Sequence, residues 1–309
     1  MATIKIHYDG KAASPKQQLA LLKQHGVFIP DERTAADCLS FVGYYRLFAY
    51  VKPFLSDSSP SPIAFEHIWN LYTFDQKLRL LVIEAIEKIE VAFRVSISEV
   101  MSLQYDPFWY LNEAHFHYLK WHREFMEKVI QLTAKKEHAL IKHFYQSYSA
   151  PDFPPSWMMT ECLTFGAWSK VFHNLKKRRD KIAVANRLRI RLMRLLSWIR
   201  CLTELRNLCA HHDRIWNHFF RYTPKDVPCA QHQEHRFYQQ VYVLKEMLTV
   251  ISPHSGWLEH LKSLMVEYRH LPLEKMGFLK DWLHDPLWEM NTKNTVSVDV
   301  VENEPISLL

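Results

Sequence analysis

Apolar residues recur at alternating spacings of four and three through Leu78, Val82, Ala85, Ile89, Ala92, Ser96 and Val100, which is the signature of one packed helix face. The spacing predicts a long helix, or two stacked ones, from Phe65 to about Met101. Upstream, residues 1 to 15 are polar and expected to be extended. PKQQLALLKQHG then predicts a short helix opened by Pro15 and ended by Gly26, and a second helix starts from Asp31 as N-cap and runs through ERTAADCLSFVG. GYYRLFAYVKPF (43 to 54) is too aromatic for the pattern to decide between helix and strand, and SDSSPSP (56 to 62) breaks it, marking an internal boundary. Helical spacing returns over about 115 to 148 and stops at SAPDFPP (149 to 155), where three prolines force an extended loop. It resumes in SWMMTECLTFGAWSKVFHNL with Ser156 as the expected cap. Residues 186 to 212 predict one further helix, 235 to 252 and 255 to 271 two more, and the tail from about 290 is weakly patterned and expected to be mobile.

The pattern therefore predicts an all-α protein with an N-terminal extension (1 to 60), a helical domain (61 to 289) and a tail (290 to 309). Composition agrees: six glycines in 309 residues argue against a turn-rich β architecture, and the length supports a sizeable core. The N-terminus lacks the basic-then-apolar run of a secretory signal, and no apolar stretch approaches the ~18 to 20 residues that span a bilayer. Cys38, Cys162, Cys201, Cys209 and Cys229 are odd in number, widely spaced and without CxxC pairs, which fits reduced thiols. These features predict a soluble cytoplasmic protein with no membrane partner.

Net charge is +6, and most of it is concentrated. Between Lys176 and Arg200 lie ten Lys or Arg residues and one acid, Asp180. Such a run is the electrostatic footprint of a polyanion site, and Lys176, Lys177, Arg178, Arg179, Lys181, Arg187, Arg191 and Arg194 are its candidate RNA-binding residues. The alternative is a solvated helix face, although solvated faces usually mix signs.

The run leads into RNLCAHHDRIW (206 to 216), where Arg206, Asn207 and His211 have the R-N-x3-H spacing of metal-independent ribonucleases. With 17 arginines and 18 histidines, about one R-x4-H match is expected by chance, so the letters alone carry nothing. Position carries more. The apolar stripe Leu188, Leu192, Leu195, Ile199, Leu202 has Arg206 and Cys209 in its next two slots, and an arginine in a core-facing slot implies either an internal carboxylate, such as Glu90, or a cleft that receives an anion. Asn207 and His211 stand four residues apart on one helix face, so the amide is placed to orient the imidazole. Arg206 lies about 140° from His211, which predicts that two copies of the motif meet across a twofold axis in a homodimer. His211 has the alternative role of an ordinary helix C-terminal histidine.

The chemistry needs no metal or cofactor. RNA supplies its own nucleophile, the 2′-OH; His211 suits general acid or base work near neutrality, and Arg206 would stabilise the pentacoordinate phosphate, giving a 2′,3′-cyclic phosphate and a 5′-hydroxyl. Glu90 and Arg94, four residues apart, are polar groups on or beside the second apolar stripe Ile83, Ile86, Phe93, Ile97, and are expected to support the cluster together with His212. A metal site is the rival use of the histidines, through His211, His212, Asp213 and His218 or Cys229, His232 and His235, but neither set has a standard zinc spacing.

Four blocks in order, GYYRLFAY (43 to 50), FEHIWNLYTFDQKLRLLVIEAIEKIEVAFRV (65 to 95), PPSWMMTECLTFGAWSKVFHNL (154 to 175) and LRNLCAHHDRIWN (205 to 217), resemble the bacterial abortive-infection AbiD/AbiF family over about the first 220 residues. Such proteins are similar to the HEPN superfamily. The resemblance implies a HEPN-like helical bundle, dimeric assembly of the R-x4-H motifs, metal-independent RNase activity and a role in defence against phage. It matches Arg206, Asn207 and His211 to the motif and Glu90-x3-Arg94 to an acidic-x3-basic pair on an earlier helix. It also implies a structured RNA as a further partner, and an antitoxin is another expected one. The other function class is a non-catalytic RNA-binding protein in which Arg206 is structural.

Overall fold

The computed structural model describes residues 12–55, 62–228 and 233–288. These form twelve α-helices, short 3-10 turns and one two-stranded sheet, so the chain is all-α. They fall into two compact units, 1–77 and 78–309, divided between Lys77 and Leu78. The boundary loop expected at 56 to 62 lies, but for Pro62, outside the described residues, as do Cys229, His232, the tail from 290 and residues 1 to 11.

In the first unit, α1 (Pro15–Gln24) begins at a capping box in which the Ser14 hydroxyl accepts the Gln17 N–H and the Gln17 side chain accepts the Ser14 N–H. Asp31 caps α2 (Glu32–Val42) by accepting from the N–H groups of Arg33 and Thr34. The aromatic stretch that the pattern left undecided is helical, as α3 (Tyr44–Val51), and buries Leu47, Tyr50 and Val51. Val27 and Phe28 (β1) pair in parallel with Ile63 and Ala64 (β2). Inside this unit the Tyr50 hydroxyl donates to Asp75 at 2.6 Å, both groups buried.

The long periodic stretch is a single helix, α4 (Phe65–Gln104). Its residues in the second unit bury Leu78, Val82, Ala85, Ile89, Phe93 and Ile97. The helix expected over 115 to 148 is two, α5 (Leu119–Lys135) and α6 (Ala139–Ser147), because Lys136 turns left-handed at φ 50°. Pro155, not Ser156, occupies the N-cap of α7 (Ser156–Cys162). The Ser156 hydroxyl instead lies 2.8 and 2.9 Å from those of Ser98 and Ser102 on α4, a buried polar contact that a helix cap would forgo. Thr164 caps α8 (Phe165–Asn174), whose Phe165 and Phe172 stack edge-on against Phe93.

The motif helix is shorter than its periodicity implied. α9 (Arg178–Arg187) ends where Arg189 adopts φ 52°, the N–H of Ile190 reaching back to the Ala185 carbonyl, and α10 (Leu192–Ala210) starts afresh. Leu188 and Ile190 are buried on either side of this turn, so apolar spacing continues through a break in the backbone. α8 packs between α5 and α10, and α10 also meets α9 and α11 (Phe237–Ile251). α12 (Trp257–Glu267) is tied to α4 by the Trp257 indole, which donates to the Leu81 carbonyl at 2.8 Å.

Candidate functional site

α10 carries its apolar stripe inward: Leu192, Leu195, Ile199, Leu202 and Cys209 are all buried, and Arg206 sits among them with 32% of its side chain exposed. Glu90 explains how the slot tolerates a guanidinium. Its carboxylate, 11% exposed, pairs with Arg94 through one oxygen and lies 3.7 Å from the Arg206 Nε through the other. The internal carboxylate anticipated for Arg206 is thus present. Arg94 also donates to the Thr160 carbonyl at 3.0 Å, while its buried Nε has no hydrogen-bond partner. Burial pushes Arg94 below the usual arginine value; exposed Glu161 opposes the shift and nearby Arg206 adds to it.

Arg206 meets Glu90 through Nε, as an ion pair without a hydrogen bond. Among the described residues the two Nη groups make no hydrogen bond, and Arg206 and Asn207 line a cleft of about 580 Å³ together with Lys128, Arg200, Glu204, the first turn of α8 and Lys170, which also pairs with Glu124 at 3.4 Å. A guanidinium paired at its base, with both Nη groups toward such a cleft, can take an anion bidentately.

His211 and His212 sit elsewhere. His211 is the C-cap of α10 and His212 adopts φ 58°; the N–H groups of His212 and Asp213 reach back to the carbonyls of Cys209 and Leu208. Buried Arg79, from α4, donates to the Asp213 carbonyl at 3.3 Å and so fixes this turn, a contribution no local pattern announced. Both histidines are exposed and neither lines the cleft; among the described residues no hydrogen bond joins the Asn207 amide to the His211 ring. Within one chain, then, Glu90, Arg94, Arg206 and Asn207 come together and His211 stands apart.

The basic run divides. Arg187 pairs with Glu99, Arg194 with Asp226 at 3.1 Å, Arg179 lies 3.7 Å from Asp180, and Lys177 rests over the Tyr105 ring. Lys176 and Lys181 line a second cleft of about 800 Å³, which shares Trp121, His173, Arg200 and Tyr222 with the first. Arg178, Arg187, Arg191 and Arg194 line neither cleft. Arg221 and Lys225, outside the run, do line the second.

Arg221 and Lys225 are placed by α10. The Glu204 carboxylate accepts the N–H groups of Arg221 (2.8 Å) and Tyr222 (3.2 Å), the Ser197 hydroxyl accepts that of Lys225, and the Trp198 indole donates to the Lys225 carbonyl. Burial works to raise the Glu204 carboxyl, but His218 and the two backbone N–H groups outweigh it and hold it below the usual range.

His173 lies between the clefts with Nδ1 2.7 Å from the Ser169 carbonyl and Nε2 2.9 Å from that of Leu196. Burial lowers its pKa, with Arg200 and Lys181 adding to the effect, against the two carbonyls, which favour the charged ring. With the folded value below the unfolded one near 6.5, the unfolded chain takes up the proton first as pH falls. The associated stability is present above that value and lost below it. The denaturation midpoint is therefore expected to fall between pH 7.5 and 5.5 and to fall less steeply in His173→Gln. Some slope should remain, since burial, then Lys177, depresses His115 in the same direction. An unchanged slope in the variant would remove His173 from the account.

Among the described residues, no group of three or more His, Cys, Asp or Glu side chains is placed to hold a metal ion, and no helix is long and apolar enough to cross a membrane. Among the described residues, Cys38, Cys162, Cys201 and Cys209 form no disulfide. In comparisons with known proteins, the family model described as Abi-like protein matches residues 37–217, more than half of the chain, a span that closes just beyond the α10 turn. Neither the curated proteins nor the solved structures return a match.

Proposed function

The chain belongs to the Abi-like protein family, and on that premise we propose that it acts in abortive infection as a metal-independent endoribonuclease of the HEPN type, working as a homodimer. The observation that carries this reading is Arg206: paired at Nε with a buried carboxylate, without a hydrogen bond at its Nη groups among the described residues, and lining a cleft in which Lys128, Lys170 and Arg200 outnumber the one acid, Glu204. A phosphodiester is the anion such a fork fits.

The proposed reaction uses groups already described. The ribose 2′-oxygen attacks the adjacent phosphorus as a histidine takes its proton, the 5′-oxygen leaves with a proton from a second acid, and the 2′,3′-cyclic phosphate and 5′-hydroxyl result. Arg206 neutralises the charge gathered on the non-bridging oxygens. His211, exposed at the end of α10 and outside the cleft that holds Arg206, supports assembly of the site from two chains, each bringing its histidine to the other's arginine.

The test is cleavage of RNA by the purified full chain in EDTA, with the product ends identified. Cyclic phosphate ends are expected. No cleavage in any RNA offered, or equal cleavage by the Arg206→Ala/His211→Ala double variant, would sink the proposal. The same separation of His211 from the cleft favours a second reading, a non-catalytic RNA-binding protein; it predicts salt-sensitive RNA binding that is indifferent to His211→Ala.

A further inference from the structure

The two clefts share Trp121, His173, Arg200 and Tyr222 and so adjoin as one groove, whose first part is also lined by Arg206, Asn207 and Glu204 and whose far part by Lys176, Arg221 and Lys225. Its far part contains no acidic side chain among the described residues, so a polyanion lying there would meet cations alone.

Charge does not account for the aromatic rings. Tyr118 is 52% exposed, Trp121 37% and Tyr222 36%, all on the groove wall. The Tyr118 and Trp121 ring centroids are 5.1 Å apart, and the Arg221 guanidinium lies 5.3 Å from the Tyr222 centroid. Large rings left in water cost free energy unless something covers them.

The backbones beneath Tyr118 and Tyr222 are pinned by buried or half-buried side chains. The buried Asn174 amide accepts from the Tyr118 N–H at 2.7 Å and donates to its carbonyl at 3.0 Å, and Glu204 holds Arg221 and Tyr222. Ring platforms beside cations suit a chain that carries both flat bases and phosphates.

We propose that this groove is a binding track for single-stranded RNA, in which unpaired bases stack on Tyr118, Trp121 and Tyr222 and phosphates lie along Arg200, Arg221 and Lys225, leading the strand to Arg206. A duplex keeps its base faces stacked inside itself and has none to offer these rings. The proposal deepens the ribonuclease reading and rests on it for the identity of the strand as RNA.

The test reads binding alone. In EDTA, with full-length protein carrying His211→Ala, fluorescence anisotropy compares a labelled oligouridylate with an RNA duplex of equal length. The single strand is expected to bind at least about tenfold more tightly, and Trp121→Ala/Tyr222→Ala to weaken it by about tenfold or more while Trp121→Phe/Tyr222→Phe retains most of the affinity. Arg221→Gln/Lys225→Gln should make the salt dependence shallower by about 1.4 in log–log slope, two phosphate contacts' worth. Equal or tighter duplex binding, unchanged affinity in the alanine pair, or equal competition by polyglutamate would overturn it. Cleavage that persists while the aromatic variants bind normally removes the track and leaves the ribonuclease. Binding as expected without cleavage does the reverse.

Discussion

Glu90→Ala is expected to destabilise the protein by about 3 to 5 kcal/mol, the usual effect of removing one member of a buried ion pair. The carboxylate is 11% exposed and serves two arginines, so its loss leaves Arg94 and Arg206 facing each other without the charge between them. Arg94 has few alternatives: its Nε already lacks a partner, the Thr160 carbonyl carries no net charge, and Glu161 is at the surface. For a folding unit of this size the midpoint of thermal unfolding should drop by roughly 10 °C, measurable by calorimetry or circular dichroism. Glu90→Gln keeps the shape without the charge and should fall in between. Replacing Glu90 and Arg94 together by leucine should recover part of the loss, because the unpaired buried charge goes with them. A shift under about 2 °C in Glu90→Ala would mean that water, not Glu90, compensates the guanidinium groups.

The second large effect is on chemistry. Arg206→Ala and His211→Ala are each expected to slow RNA cleavage in EDTA by about a hundredfold to a thousandfold, the range for removing one transition-state cation or one acid-base group. The double variant should be little worse than either single one, since groups that act together are not additive. Arg206→Lys should restore little, because an ammonium cannot remake the fork that leaves Nε on Glu90 and both Nη groups for phosphate. Stability separates the positions: His211 is an exposed C-cap and its alanine variant should unfold like the parent, whereas Arg206→Ala leaves Glu90 with Arg94 alone. If the active unit is a pair of chains, specific activity should also fall on dilution. Cleavage by a demonstrably monomeric sample at undiminished specific activity would refute the shared site.

Several features were legible from local chemistry. Ser14 with Gln17, Asp31 ahead of α2, the 40-residue run of α4 and the inward stripe of α10 each follow from contacts within a few residues. Arg206 was conspicuous for the same reason, as a charge where the period calls for an apolar group, and Glu90 was identifiable as a carboxylate in a second stripe. The break at Arg189 was not visible. Left-handed residues that end helices are usually glycine, and here an arginine takes that conformation between Leu188 and Ile190, both buried, so the apolar period runs on across the turn. Ser156 misled in the opposite way, its hydroxyl going to Ser98 and Ser102 on a helix more than 50 residues earlier in the chain.

The site shows the same division. A count of lysines and arginines marked 176 to 200 as the polyanion footprint, yet Glu99 and Asp226 pair with two members of that run, and Arg221 and Lys225 enter the groove from outside it. Sequence by itself determined what depends on neighbours along the chain: the all-α class, the caps at Ser14 and Asp31, and the buried faces of α4 and α10. Tertiary structure alone decided which charges meet an opposite charge and which meet solvent, and that Tyr118, Lys176, Arg200 and Tyr222 line one cleft. The physical reason is range. Helix propensity and capping act within a turn or two, whereas ion pairing and groove formation depend on distances between segments that only packing sets.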